Sequence, residues 1–109
     1  MDGVGRRDDG DRPATVAPDP SGVPVVALAG EIDISCIDAV EAVVQPLLDG
    51  THERLVFDLN AVDFIDSSGL AVLLQAAARV GTVTLRSPSP LLVRILDSNG
   101  LLQVLAVET

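Results

Sequence analysis

The spacing of apolar residues along the chain changes period several times, and each change marks an element. Ala14-Thr15-Val16-Ala17 and Val23 to Ala29 read as two strands, joined by Pro18-Asp19-Pro20-Ser21-Gly22, a run suited to a turn. From Ile34 to Leu48 the spacing becomes helical, with Ile37, Val40, Val44 and Leu47 recurring at three- and four-residue intervals. Pro46 should kink or shorten that helix, and Gly50 should end it. Leu55 to Leu59 is apolar on both faces, which predicts a buried parallel strand. Ser67 to about Val80 is helical again, with Leu70, Leu73, Leu74, Ala77 and Val80 on one stripe and Gly81 as the stop. Val83 to Arg86 alternates like a short strand. A third helix is framed by Ser89 as N-cap, Pro90 at the first helical position and Gly100 past the end, and Leu101 to Val107 closes as a strand.

Strands alternating with helices predict an α/β fold with parallel pairing and right-handed crossovers. In such folds ligands and partners meet the loops that leave the carboxyl ends of strands. At 109 residues the chain has room for one domain. Residues 1–12 are expected to be a disordered tail and residues 13–109 the domain, because the start is polar, mixed in charge and rich in glycine and proline.

Charge and composition remove several function classes. The chain has 16 acids against 7 arginines and no lysine, a net −9, so a polyanionic partner such as nucleic acid is not expected. Phe57 and Phe64 are the only aromatic residues, too few to stack bases. No apolar run approaches the ~18 residues of a membrane span, and Met1 to Pro20 lacks the apolar core of a signal peptide, so a cytoplasmic protein without membrane contact is expected. The single cysteine, Cys36, can form no internal disulfide and has no companions for a zinc site. Neither a metal nor a cofactor is expected.

One loop carries candidate chemistry: Asp63-Phe64-Ile65-Asp66-Ser67-Ser68-Gly69-Leu70, which leaves the central strand and opens a helix. Helix N-termini hold backbone N–H groups without intrahelical partners, and the macrodipole adds positive character. A phosphate on a serine there would find ready donors. The plain reading is that Asp66 or Ser67 is an N-cap and nothing more. Gly69 is unusual in a first turn, where glycine weakens the helix, and close approach by another molecule would account for it.

The same residues carry a resemblance. Gly30-Glu31-Ile32-Asp33 is similar to the Gly-Glu-Leu-Asp that precedes the first helix in the STAS family, and Phe64-Ile65-Asp66-Ser67-Ser68-Gly69-Leu70 resembles the phosphorylation loop of its anti-sigma factor antagonists. Leu55-Val56-Phe57-Asp58-Leu59 resembles the family's central strand, and Ser98-Asn99-Gly100-Leu101 its small-residue-Gly-Leu before the last strand. The likeness runs from about residue 13 to 108. It implies a STAS-type single domain, with a mixed, mostly parallel five-stranded sheet and three helices. Family members commonly add a final helix, which a chain ending at Thr109 is expected to lack, leaving apolar surface less covered and a monomer or weak dimer as the expected state.

By this resemblance Ser67 is the phosphoacceptor, with Asp66 before it and Ser68, Gly69 and Leu70 completing the loop. Asp33 would lie beside that loop, and Glu31, Asp38 and Glu41, on or near the first helix, would make the docking side acidic; a solvated helix face is their alternative reading. The implied partners are an ATP-using serine kinase that is itself the anti-sigma factor, and a phosphoserine phosphatase. The unphosphorylated antagonist would hold the anti-sigma factor and free sigma, and the phosphorylated form would let go. The resemblance thus implies transcription and stress-response regulation in a bacterial cytoplasm. A STAS subunit packed on a transporter ATPase, without any phosphorylation cycle, is the alternative. Enzymatic nucleophile chemistry is not expected, because Ile65 replaces the first glycine of a Gly-x-Ser-x-Gly elbow and His52 falls at the opposite strand end.

Overall fold

Proline and glycine divide the chain into short elements, which a computed structural model describes over residues 12–108. The tail expected over residues 1–12 lies outside the described residues, except for Arg12, which is exposed. In chain order the elements are β1 (Ala14–Pro18), β2 (Pro24–Ile32), α1 (Ile37–Val44), β3 (Arg54–Ile65), α2 (Ser67–Arg79), β4 (Thr82–Arg86), α3 (Pro90–Ser98) and β5 (Ala106–Glu108), with single 3-10 turns at Gln45–Leu48 and Leu101–Gln103. β1 and β2 form the expected hairpin. Its turn is closed by Asp19, whose Oδ1 accepts from the N–H groups of Ser21 and Val23, with Gly22 at φ +90.

The five strands lie in the order β1-β2-β3-β4-β5, β1 antiparallel and the others parallel. When parallel neighbours follow one another in sequence, right-handed crossovers deliver every connecting helix to the same face. Burial agrees: Val26, Leu28, Phe57, Val83 and Leu85 are buried with Val40 and Val44 of α1, Leu73 and Ala76 of α2 and Leu92 and Leu96 of α3. Between them on the strands, Ala27, Asp58, Thr84 and Arg86 turn outward and are exposed or half-buried. Edge strand β5 is tied down by the Arg86 Nε to Glu108 Oε1 bond of 3.1 Å.

Four expectations need correction. Helix α1 begins at Ile37, because Asp33 Oδ1 accepts from the Ser35 N–H at 3.0 Å and the Ser35 hydroxyl at 2.6 Å, a local turn that competes with helix. It ends as α-helix at Val44, and Pro46 falls in the 3-10 turn that follows. Strand β3 continues past Leu59 to Ile65. Its register against β2 shifts twice, between Ala27 and Ala29 and between Gly30 and Glu31, with Gly30 at φ +80. Each shift gives β3 an extra residue, so Leu59, Val62 and Ile65 are buried at intervals of three and the period of two disappears. In α2 the stripe is rotated from the expected one: Val72 and Ala76 are buried, whereas Leu74 is exposed and Ala77 half-buried. The last strand is only Ala106–Glu108, since Leu101 and Leu105 are both buried at helical spacing and the Leu105 N–H donates to Leu101 O at 3.0 Å.

Candidate functional site

The loop between β3 and α2 stands at the carboxyl end of the central strand. The Asp66 N–H donates to Ile32 O at 3.0 Å, which fastens the loop to the end of β2. Asp66 is the N-cap of α2: its Oδ1 accepts from the N–H groups of Ser68 at 2.9 Å and Gly69 at 3.3 Å. The same oxygen accepts the Ser68 hydroxyl at 2.6 Å. That hydroxyl, foremost, holds the Asp66 carboxyl below the usual carboxylate range. Desolvation opposes it, and the N–H groups of Gly69, Ser68 and Ile34 add to it.

Ser67 is the first residue of α2 and is exposed. Among the described residues its hydroxyl has no hydrogen-bond partner, whereas that of Ser68 is engaged and half-buried. Gly69 has a reason internal to the fold, which corrects the expectation of an approaching molecule. A Cβ at this position would lie 2.5 Å from Ile65 Cγ1 and 3.0 Å from Ile32 Cγ2, so glycine is what lets the helix start abut the strand ends. Leu70 is buried except for one edge. With Ser67, Ala71, Leu74, Asn99 and Leu101 it lines a groove of about 270 Å³ that opens beside the Ser67 hydroxyl.

The acidic residues fall on the end of β2 and on α1. Glu31 is on β2, opposite Phe64 on β3, and is exposed; only Asp38, exposed, and Glu41, half-buried, belong to α1. Asp33 follows β2 directly, and its carboxylate is turned to the Ser35 turn. No arginine or lysine occurs over residues 13–53 or 55–78, so both chain stretches that build this end of the sheet are purely acidic. Three exposed apolar residues here escaped the sequence reading: Ile34, Phe64 and Leu74. The signal for Phe64 was available in its acidic neighbours Asp63 and Asp66, but a strand read as ending at Leu59 gave it no face.

His52 precedes β3 and Ser67 follows it, so a 12-residue strand separates them. At 3.2–3.4 Å per residue that is roughly 35 Å, far beyond hydrogen-bond reach. His52 instead shares a polar cleft of about 340 Å³ with Ser21, Thr51, Glu53 and Arg54 at the opposite end of the sheet. Cys36 is half-buried, its Sγ 3.4 Å from Asp33 O. Among the described residues no three of His, Cys, Asp and Glu converge as metal ligands, and no helix is long and apolar enough to cross a membrane.

A family model described as "Mlab, STAS domain" matches residues 17–106. The chain belongs to the STAS domain family. Its sequence is similar to the anti-sigma-F factor antagonist RsfB of Mycobacterium tuberculosis, 37 % identical over 67 residues that cover 62 % of this chain and 54 % of the relative. The STAS chain thus spans about half the length of the curated relatives it matches first. Among solved structures it is similar to an anti-sigma factor antagonist from Mycobacterium paratuberculosis, with a TM-score of 0.78, 28 % identity and coverage of 87 % of this chain and 83 % of that one. It shares its fold with the phosphorylated form of the Bacillus cell fate determinant SpoIIAA, at a TM-score of 0.68, 21 % identity and coverage of 88 % and 91 %.

Proposed function

We propose that this STAS domain is a cytoplasmic anti-sigma factor antagonist, whose unphosphorylated form binds an ATP-using anti-sigma factor serine kinase and frees the sigma factor, and whose phosphorylation on Ser67 ends that binding. A phosphoserine phosphatase restores the binding form. The observation that carries the reading is the Ser67 hydroxyl at the first position of α2, without a hydrogen-bond partner among the described residues, beside a neighbour, Ser68, whose hydroxyl Asp66 already holds. The names of the relatives support the partner class.

The chemistry needs little from this chain. The kinase would move the γ-phosphoryl group of ATP to Ser67 Oγ: an O–P bond forms there, the bond to the β-phosphate bridging oxygen breaks, ADP leaves and the hydroxyl proton is lost. The product carries about −1.5 to −2 charges near neutral pH. In the free protein the N-terminus of α2 tolerates that charge. Against a partner it does not, because Asp66, Asp33 and Glu31 stand nearby and a surface fitted to a neutral hydroxyl meets a bulky anion instead. Asp66, Ser68, Gly69 and Leu70 form the loop that presents Ser67, and Glu31, Asp33, Asp38 and Glu41 supply the acidic surround.

The test is to mix the purified chain with each anti-sigma factor of its source bacterium, with and without ATP, and to map any phosphate. One partner should bind the unmodified chain, transfer one phosphate to Ser67 and then dissociate. Stable packing on a transporter ATPase with an unmodified serine would support the subunit alternative and overturn this reading.

A further inference from the structure

Two large apolar side chains at the loop end of the sheet face solvent. Ile34 is 76 % exposed, more than any other large hydrophobic among the described residues, and Phe64 is 43 % exposed. They belong to one end of the sheet. Phe64 pairs across the strands with Glu31, and Ile34 follows Glu31 by three residues, two past Ile32, whose carbonyl accepts the Asp66 N–H. A single exposed hydrophobe needs no explanation. Phe64 is on the end of β3 and Ile34 in the turn that follows β2, close in sequence to Glu31, Asp33, Asp63 and Asp66.

Charge selects the occupant. A second copy of a chain with net −9 would bring the same acids against themselves, and an anionic membrane or a nucleic acid would meet the same repulsion. A protein surface with an apolar centre ringed by lysine and arginine matches both features. We infer that Ile34 and Phe64 are the apolar anchors of the surface that binds the anti-sigma factor, with the surrounding carboxylates as its rim. This rests on the function proposed above. Anchors of this kind lose water completely in the complex and govern dissociation, whereas rim charges govern association.

The experiment measures association and dissociation rates of the full chain with the anti-sigma factor of its source bacterium that binds it, at low and high salt. Ile34→Ser should raise the dissociation constant about tenfold or more, through the dissociation rate and at both salt concentrations. Phe64→Ala should do the same, with a thermal melt confirming its fold; Ile34, being so exposed, gives the answer even if Phe64→Ala unfolds. Val16→Ser, 45 % exposed on edge strand β1 and paired with Val26, six residues before the end of β2, should leave both rates within about twofold. Ile34→Ser with wild-type dissociation would overturn the inference while leaving the antagonist function standing. So would sedimentation showing a wild-type dimer that Ile34→Ser dissolves, which would give the patch to a second copy. Failure of the wild type to bind any anti-sigma factor would remove the function and this inference together.

Discussion

Asp66, Ser67 and Ser68 are consecutive, yet their roles are separated by one hydrogen bond. Asp66 Oδ1 takes the Ser68 hydroxyl at 2.6 Å, while that of Ser67 has no partner among the described residues, so the kinase reaction should label Ser67 alone. Peptide mapping of wild type and Ser68→Ala should give the same single site, and label on Ser68 would sink the assignment. Ser67→Ala should bind the anti-sigma factor and remain bound in the presence of ATP. Ser67→Asp should bind more weakly while its melting temperature holds or rises, since an acid in the first turn of a helix stabilises by a few tenths of a kcal/mol. Melting temperature and affinity falling together would mean misfolding. Gly69 is a packing residue. Its Cβ would meet Ile65 at 2.5 Å, and Gly69→Ala should cost about 1–3 kcal/mol in denaturant unfolding.

At the scale of elements, the cap of α2 is a pH-dependent part of the fold. Folding lowers the Asp66 pKa, so between the folded and unfolded values the unfolded chain binds more protons. The stabilisation is therefore complete above the unfolded carboxyl value of about 4 and is lost as pH falls through the lowered folded value. An asparagine in place of Asp66 would still cap but cannot ionise. The melting temperature of wild type should exceed that of Asp66→Asn at about pH 6, and the difference should shrink as pH falls below about 4, through the lowered folded value. A difference that stayed constant across this range would show that the charge of Asp66 plays no part in holding α2.

Over the whole molecule acids outnumber arginines 16 to 7, and the segments on either side of Arg54 that lead into the Ser67 loop carry acids alone. With no basic residue over residues 13–53 or 55–78, attraction to a basic partner should speed association and fade with salt, as the screening length falls from about 10 Å at 0.1 M to about 3 Å at 1 M. Stopped-flow association across a salt series should show that slope, with dissociation much less affected. Asp33→Asn keeps an oxygen acceptor for the Ser35 turn, and so changes charge with the turn intact. It should lower both the association rate and the rate of phosphate transfer. A flat salt profile with normal Asp33→Asn rates would mean that apolar contacts alone carry the encounter.

Local periods made much of this chain legible. Two strands flanking Asp19 and Gly22, a helix framed by Ser89, Pro90 and Gly100, and the Asp66-Ser67-Ser68-Gly69 loop opening a helix all depend on neighbours a few residues apart, and each is found where its residues point. The parallel α/β order followed, because strands separated by helices leave few other arrangements. Other features depend on contacts between distant segments. The extra residues in β3 exist only relative to β2, and they erase the period-two pattern that would have shown the strand reaching Ile65. Gly69 is explained first by Ile65 and then by Ile32 on the neighbouring strand, which a Cβ would meet at 2.5 and 3.0 Å. The exposure of Leu74 is explained by the burial of Val72, Leu73 and Ala76 in its place. Leu101 to Leu105 has apolar residues enough for a strand, but a short 3-10 turn buries both ends. A linear pattern states which residues prefer burial; which neighbour buries them, and which apolar residues such as Ile34 and Phe64 are left facing water, is decided when the strands and helices pack.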